Sequence, residues 1–163
     1  MSRLLIVVCL ALLAGGCGFK PRSSLAVASA LGPVAVSTVD PYSPLGQDLA
    51  AALARAGAVP AVEGQPAATL QVMTERMRTR PLTYASGASV REYQTIYRVE
   101  FQLTGADGTL RLPRQTVELT REYTYDAVGS IGTPAEERLL QEELRRDMVA
   151  AILRRLDAAL RAD

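Results

Sequence analysis

The chain has 163 residues, a length that favours a single domain with its own hydrophobic core. Its 18 basic and 17 acidic residues nearly cancel, so the overall charge indicates no nucleic-acid partner. There is no histidine, and the two cysteines, Cys9 and Cys17, lie near the N-terminus, which excludes a Ser-His-Asp triad and leaves no disulfide, thiolate nucleophile or Cys/His metal site in the remaining chain.

The N-terminal segment has the organisation of a secretory signal. Arg3 supplies the positive charge, and residues 4–13 form an apolar run too short to span a bilayer. Small residues then precede Cys17, in an arrangement that resembles the lipobox of bacterial lipoproteins, where the cysteine is lipidated after cleavage. We expect residues 1–16 to be a cleaved signal peptide, residues 17–31 a lipidated N-terminus and tether, and residues 32–163 one domain. An ordinary signal peptide with an incidental cysteine is the alternative.

The residue after the cysteine indicates which membrane would hold such an anchor. In bacterial lipoproteins an aspartate at this position favours retention in the inner membrane, whereas this chain has Gly18. We therefore predict the outer membrane. Several acyl chains, palmitate among them, would make the attachment at Cys17 effectively permanent, because each buried chain adds to the hold on the bilayer.

The first strand and the first helix follow the tether. A short apolar and β-branched run at residues 33–39 predicts a strand. Ser43 followed by Pro44 fits the N-cap and first position of a helix, and Gly57 fits its end. One face of this helix is apolar at every fourth residue: Leu45, Leu49 and Leu53. Residues 59–66 are a polar, proline-containing link.

Residues 70–80 predict the second strand. Its alternate residues begin apolar and become basic, so we expect the basic end of this face to project beyond the core: Leu70, Val72, Thr74, Arg76, Arg78 and Arg80. The third strand alternates most clearly, because one set of residues is apolar or aromatic: Tyr93, Thr95, Tyr97, Val99, Phe101 and Leu103. The residues between them are polar, which indicates a sheet with one buried face.

An Asp107-Gly108 turn leads into a fourth strand over residues 109–125. The apolar phase of this strand slips across Pro113, which predicts a bulge at residues 113–115. The aromatic residues on the apolar sides of these strands are expected to pack in the core with their hydroxyls at its rim, although contact with a partner is a second interpretation: Tyr93, Tyr97, Tyr123 and Tyr125.

A long helix ends the chain. Thr133, Pro134 and Glu136 fit the cap, first and third positions of a capping box. An apolar stripe recurs at every fourth residue: Leu140, Leu144, Met148, Ile152, Leu156 and Leu160. The element order β-α-β-β-β-α predicts an α+β fold, with two helices packed on one face of a four-stranded, mostly antiparallel sheet.

Five segments together carry a resemblance to a known family: Cys17-Gly18-Phe19-Lys20-Pro21-Arg22, Ser43-Pro44-Leu45-Gly46, Glu92-Tyr93-Gln94, Arg121-Glu122-Tyr123-Thr124-Tyr125-Asp126, and residues 136–156 of the final helix. They are similar to the lipopolysaccharide-assembly lipoproteins of the LptE family, and the resemblance covers nearly the whole chain. It implies a protein that is not an enzyme and needs no cofactor.

The resemblance also implies partners and a place. Proteins of this family sit inside the β-barrel of the outer-membrane protein LptD, assist its assembly, and act as a plug in the delivery of lipopolysaccharide to the outer leaflet. This chain would be lipid-anchored in the outer membrane and face the periplasm or lie within the barrel lumen. The candidate contacts with lipopolysaccharide flank the loop after the second strand: Arg76, Arg78, Arg80 and Arg91.

Other interpretations remain open at this point. The four arginines face solvent in one alternative, or pair with Glu75 and Glu92. The chain could also be an outer-membrane lipoprotein that activates a periplasmic cell-wall synthase, although its tether is shorter than that role suggests. An enzyme with paired carboxylates is a third class, but no isolated acidic pair stands in an apolar context.

Overall fold

A computed structural model describes residues 31–82, 90–126 and 134–161. The elements, in chain order, are β1 Pro33–Thr38, α1 Pro44–Arg55, β2 Val59–Pro60, β3 Ala68–Pro81, β4 Val90–Thr104, β5 Leu110–Asp126 and α2 Pro134–Leu160. The predicted signal peptide, the anchor at Cys17 and the helix cap at Thr133 lie outside the described residues.

The five strands form one mixed sheet in the order β2-β1-β3-β4-β5. β1 runs parallel to both β2 and β3, whereas β3, β4 and β5 form an antiparallel meander. The predicted α+β class with two helices is confirmed, but the prediction of four mostly antiparallel strands is wrong. β2 is only two residues long and lies in the proline-containing link, so it carries no alternation. β1 is parallel to β3 because α1 carries the chain back between them.

The core lies between the two helices and one face of the sheet. The leucines predicted for α1 are buried, and so is the central part of the predicted stripe of α2: Leu144, Met148, Ile152 and Leu156. The apolar face of β4 is buried against them through Tyr97, Val99, Phe101 and Leu103. The predicted period of each of these elements is therefore confirmed, and it fixes which sheet face carries the helices.

The hairpin between β4 and β5 matches the sequence prediction. Phe101 pairs with Gln115 and Leu103 with Leu112, so β5 has an extra residue next to Pro113 and the predicted bulge is confirmed. In the turn, the backbone amide of Gly105 donates to the carbonyl of Thr109 at 2.8 Å. The side chain and backbone of Thr109 donate to the carboxylate of Asp107, and they lower the pKa of that carboxyl.

A bulge in β3 contradicts the predicted face of that strand. Val72 pairs with Phe101 and Thr74 pairs with Glu100, so Met73 is an extra residue. Because successive side chains alternate between faces, one inserted residue exchanges the two faces of everything after it. The arginines of β3 therefore do not continue the face of Leu70 and Val72, as predicted, but lie on the opposite face of the sheet.

The bulge places Glu75 on the helix-bearing face, where it joins α1 to the sheet. The hydroxyl of Tyr97 donates to Glu75 Oε1 and Ser43 Oγ donates to Glu75 Oε2, both at 2.6 Å. Ser43 Oγ also accepts from the backbone amide of Gly46 at 3.4 Å, as the N-cap of α1. Burial of Tyr97, which is 1% exposed, and its bond to Glu75 raise the pKa of its hydroxyl far above the usual range. Core packing of this tyrosine is thus confirmed.

Removal of the Tyr97 hydroxyl tests this junction. We expect Tyr97→Phe to lower the free energy of unfolding by about 1–3 kcal/mol, because it removes a hydrogen bond from a buried hydroxyl to a charged carboxylate. Urea denaturation followed by circular dichroism measures this. Tyr123→Phe is the matched control, since the Tyr123 hydroxyl donates to no residue that the structure describes, and it should change stability by less than about 0.5 kcal/mol. Equal losses of stability in the two variants would contradict a stabilising role for the hydrogen bond from Tyr97 to Glu75.

Candidate functional site

Three of the four predicted contact residues form a row on the uncovered side of the sheet. We call the sheet face opposite the helices the outer face, and Arg76, Arg78 and Arg80 of β3 the arginine row. They pair across to β4 with Arg98, Ile96 and Gln94. Residues directly opposite each other share a face. The two strands therefore present four arginines together on the outer face.

A groove of about 470 Å³ lies along this face, and we call it the outer groove. Its lining is Thr74, Arg76, Arg78, Ile96, Arg98, Glu100 and Glu118. Three guanidinium groups therefore stand against two carboxylates, on a floor formed by one isoleucine and one threonine. Such a surface has an excess of positive charge next to a small apolar area.

Two arginines of this face are held by neighbouring side chains. Arg98 makes ion pairs with Glu100 at 3.0 Å and with Glu118 at 3.8 Å. Arg80 donates from Nε and Nη2 to Gln94 Oε1 at 3.0 and 2.8 Å, and Gln94 in turn donates to Glu122 at 3.0 Å. These bonds orient both guanidinium groups along the sheet surface.

Arg76 and Arg78 differ from them, because neither makes a side-chain hydrogen bond or ion pair with the described part of the chain. Arg76 lies directly opposite Arg98, and like charges in that position destabilise a sheet. An anion placed between Arg76 and Arg98 would relieve this repulsion. Because Arg76 and Arg78 make no ion pair with the described residues, neither would lose one when the anion binds. The planar fork of arginine suits phosphate and carboxylate groups, which it can bind with two parallel hydrogen bonds.

The fourth candidate, Arg91, pairs with Tyr125 at the start of β4, beyond the last residue that β4 pairs with β3. The alternative that Glu75 neutralises the arginines is wrong, since the bulge at Met73 places Glu75 on the other face. Arg98 was missed as a site residue, although its place in the polar alternation of β4 was visible in the sequence.

The structure also bears on metals and membrane spans. Among residues 31–82, 90–126 and 134–161, no group of acidic side chains is placed to hold a metal ion. No helix in those ranges is both long and apolar enough to cross a membrane.

Comparisons with known proteins agree with this architecture. The model of the family described as LptE: Lipopolysaccharide-assembly matches residues 31–156. An uncharacterised lipoprotein B from Nitrosomonas europaea is 25% identical with a TM-score of 0.70, and the match covers 86% of this chain and 91% of that one. No curated protein sequence matches the chain.

Two crystal structures share the fold at lower identity. The rare lipoprotein B from Shewanella oneidensis is 22% identical with a TM-score of 0.64, over 78% of this chain and 95% of that one. A minor lipoprotein from Acinetobacter baumannii is 20% identical with a TM-score of 0.63, over 77% and 90%.

The repulsion between Arg76 and Arg98 can be measured. We expect Arg76→Gln to raise the free energy of unfolding by roughly 0.2–0.5 kcal/mol at low salt, because it removes one of two like charges directly opposite each other. The gain should shrink in high salt, where exposed charges are screened. Arg154→Gln, an exposed position on α2, is the control and should leave stability unchanged. A loss of stability in Arg76→Gln would mean that Arg76 makes a stabilising contact instead.

Proposed function

This chain belongs to the LptE lipopolysaccharide-assembly family, and we propose that it complexes with the outer-membrane β-barrel LptD, assists its assembly, and helps deliver lipopolysaccharide to the outer leaflet. The observation that carries the proposal is the family match, which extends over residues 31–156 and includes the whole sheet, α1 and most of α2. The family works in lipopolysaccharide assembly and is not an enzyme family, so the function to be explained is binding.

We propose a lipid anchor for this domain. Residues 1–16 would be removed as a signal peptide, Cys17 would carry the lipid, and residues 17–31 would connect it to the domain of residues 32–163. The similar solved structures are bacterial lipoproteins, which supports a place in the cell envelope. Gly18 in place of an aspartate supports the outer membrane. The lipid sets the location, and the folded domain sets the specificity.

The outer face suits contact with lipopolysaccharide. Lipid A carries phosphate groups, and the arginine row offers guanidinium groups at every second residue of one strand. Arg76 and Arg78 make no ion pair within the described residues, so binding a phosphate there would cost no existing bond. Arg80 is held in place by Gln94. Arg91 remains a candidate on the neighbouring strand.

The plug role fits the chemistry of the surfaces. The core faces of the sheet and the helices bury each other, while the outer face of β3, β4 and β5 is polar, with Ile96 as an exception. A small rigid domain with a mostly polar outer sheet face can turn that face towards a wide, water-filled barrel lumen.

Charge reversal tests the lipid contact. We expect Arg78→Glu combined with Arg80→Glu to weaken lipopolysaccharide binding about tenfold or more, because charge-assisted bonds to phosphate are replaced by repulsion. Binding of purified lipopolysaccharide is measured by surface plasmon resonance, and circular dichroism checks the fold. The matched control is Arg55→Glu combined with Arg154→Glu, which changes net charge equally on the two helices. Equal losses of affinity in both double variants would mean that overall charge causes the effect. Unchanged binding in Arg78→Glu with Arg80→Glu would mean that the arginine row does not contact lipopolysaccharide.

Isolation of the native complex tests the partner. We expect the lipidated protein, extracted in mild detergent, to elute with the LptD barrel on size exclusion. Depletion of the protein should lower both correctly folded barrel and surface lipopolysaccharide. A protein that elutes alone, with both levels unchanged on depletion, would contradict the proposal, and the activator of a cell-wall synthase would then be the next function to test.

A further inference from the structure

Half of β3 has a neighbour on only one side. The pairing of β1 with β3 ends at Thr38 opposite Val72, and the chain then turns away into α1. From Thr74 to Pro81, β3 pairs with β4 alone among the described residues. Because β1 is shorter than β3, about 20 Å of β3 remains an edge that no described strand pairs with, at the usual rise per residue of a strand.

The register shows which backbone groups this edge presents. The amide of Leu82 donates to the carbonyl of Glu92 at 2.8 Å, which marks these two opposed residues as a hydrogen-bonded pair. In an antiparallel ladder such pairs alternate with pairs that point their N–H and C=O groups away from each other. The backbones of the arginine row are therefore bonded to β4. Those of Glu75, Met77 and Thr79 point to the open side.

Side chains cover two backbone carbonyls on the opposite edge of the sheet, but none is seen to cover this edge among the described residues. On β5, Arg155 Nη1 donates to the carbonyl of Thr116 at 2.7 Å, and Arg121 Nη1 donates to the carbonyl of Thr120 at 3.4 Å. Side chains that cover backbone groups in this way discourage pairing with another strand. No side chain in the described part of the chain does the same for the backbone of Glu75, Met77 or Thr79.

A second groove, of about 530 Å³, opens where β1 leaves the sheet, and we call it the edge groove. It is lined by Val39, Asp40, Ser43, Pro44 and residues 72–77. Val39 is 78% exposed and its neighbour Tyr42 is 82% exposed, the two highest values among the large hydrophobic residues described. A strand that extends the line of β1 along β3 would pass through this groove and cover Val39.

We propose that the open edge of β3 binds an extended segment of a partner protein by strand addition, and that this segment carries acidic side chains at every second residue. Hydrogen bonds from Glu75, Met77 and Thr79 would supply affinity without regard to sequence. The side chains opposite the arginine row would share the outer face with it, so acidic residues at alternate positions are favoured. Pro81 has no amide hydrogen and ends the ladder.

The charges decide against a second copy of this chain as the occupant. Two β3 edges paired with each other would place two rows of arginines on one face, and like charges across a ladder are destabilising. An acidic partner would instead neutralise Arg76 and Arg78, which lack an ion pair within the described residues. This proposal concerns the backbone edge and a protein partner, and it stands whether or not the same arginines contact lipid.

A synthetic peptide and backbone nuclear magnetic resonance test the proposal on the processed full chain in detergent. The probe is an eight-residue capped peptide that alternates glutamate with valine or threonine, and the control probe has lysine for each glutamate. In the free protein, we expect fast amide exchange at Glu75, Met77 and Thr79 and slow exchange at the arginine row. The glutamate peptide should shift and protect those three amides, and the lysine peptide should bind at least about tenfold more weakly.

Paired variants at one position separate the backbone contribution from the side chain. Thr79→Pro removes an outward amide, whereas Thr79→Val keeps it; both lose the hydroxyl that lies 2.9 Å from Thr95 Oγ1. We expect the proline variant alone to lose about tenfold in peptide affinity, the effect of one hydrogen bond and its unmet donor. Both variants should bind lipopolysaccharide like the parent chain, because their arginines are unchanged.

Several outcomes would overturn the proposal. Slow exchange at all three outward amides in the free protein would mean that another part of the chain already covers the edge. A concentration-dependent dimer with those amides protected would make a second copy the occupant. Equal binding of the two peptides, equal affinities of the two Thr79 variants, or no binding would each remove the acidic strand as the ligand.

Discussion

The extra residue Met73 in β3 is the constraint on which the rest of the structure depends. Up to Val72 the strand buries its alternate side chains under the helices, and beyond Met73 the same alternation is exchanged between faces. Glu75 consequently turns towards the helices, and the arginine row turns towards the outer face. β1 also ends opposite Val72. The bulge therefore separates a half of β3 that is covered on both edges from a half that presents side chains and backbone for binding.

Glu75 secures this arrangement. Glu75 itself is exposed, but the two hydroxyls that donate to it, on Ser43 and Tyr97, are buried and need an acceptor. Ser43 donates from the start of α1 and Tyr97 donates from β4. A slip of β3 by one residue would pull Glu75 out of this pair of bonds and leave the buried hydroxyls of Ser43 and Tyr97 without their acceptor. The register that holds the arginine row is thus enforced from the opposite face of the sheet, as a precise binding surface requires.

Helices and strands with a strong apolar period could be predicted from the sequence. Bulges could be predicted only where they visibly shift that period. The bulge near Pro113 was visible because Leu112 and Val117 fall in different phases. The bulge at Met73 was not, because Thr74 and the arginines can lie on either face and Met77 alone marks the new phase. β2 is too short to have a period. Gly46 shows another limit, since a Cβ there would lie 2.8 Å from Thr38 Cγ2, a close approach that no pattern reveals.

The candidate site depends on the difference in length between β1 and β3, which cannot be seen in the sequence of either strand alone. β1 has six residues and β3 has fourteen, so the open edge exists only because the two were paired at their N-terminal ends. Along that edge, side chains and backbone point in different directions: the arginines stand out from the sheet, and the free amides of the residues between them lie in its plane. One strand can therefore recognise a phosphate through its side chains and a protein segment through its backbone. A substitution at Thr79 that removes its amide would therefore weaken the proposed backbone contact while it leaves the arginine row unchanged.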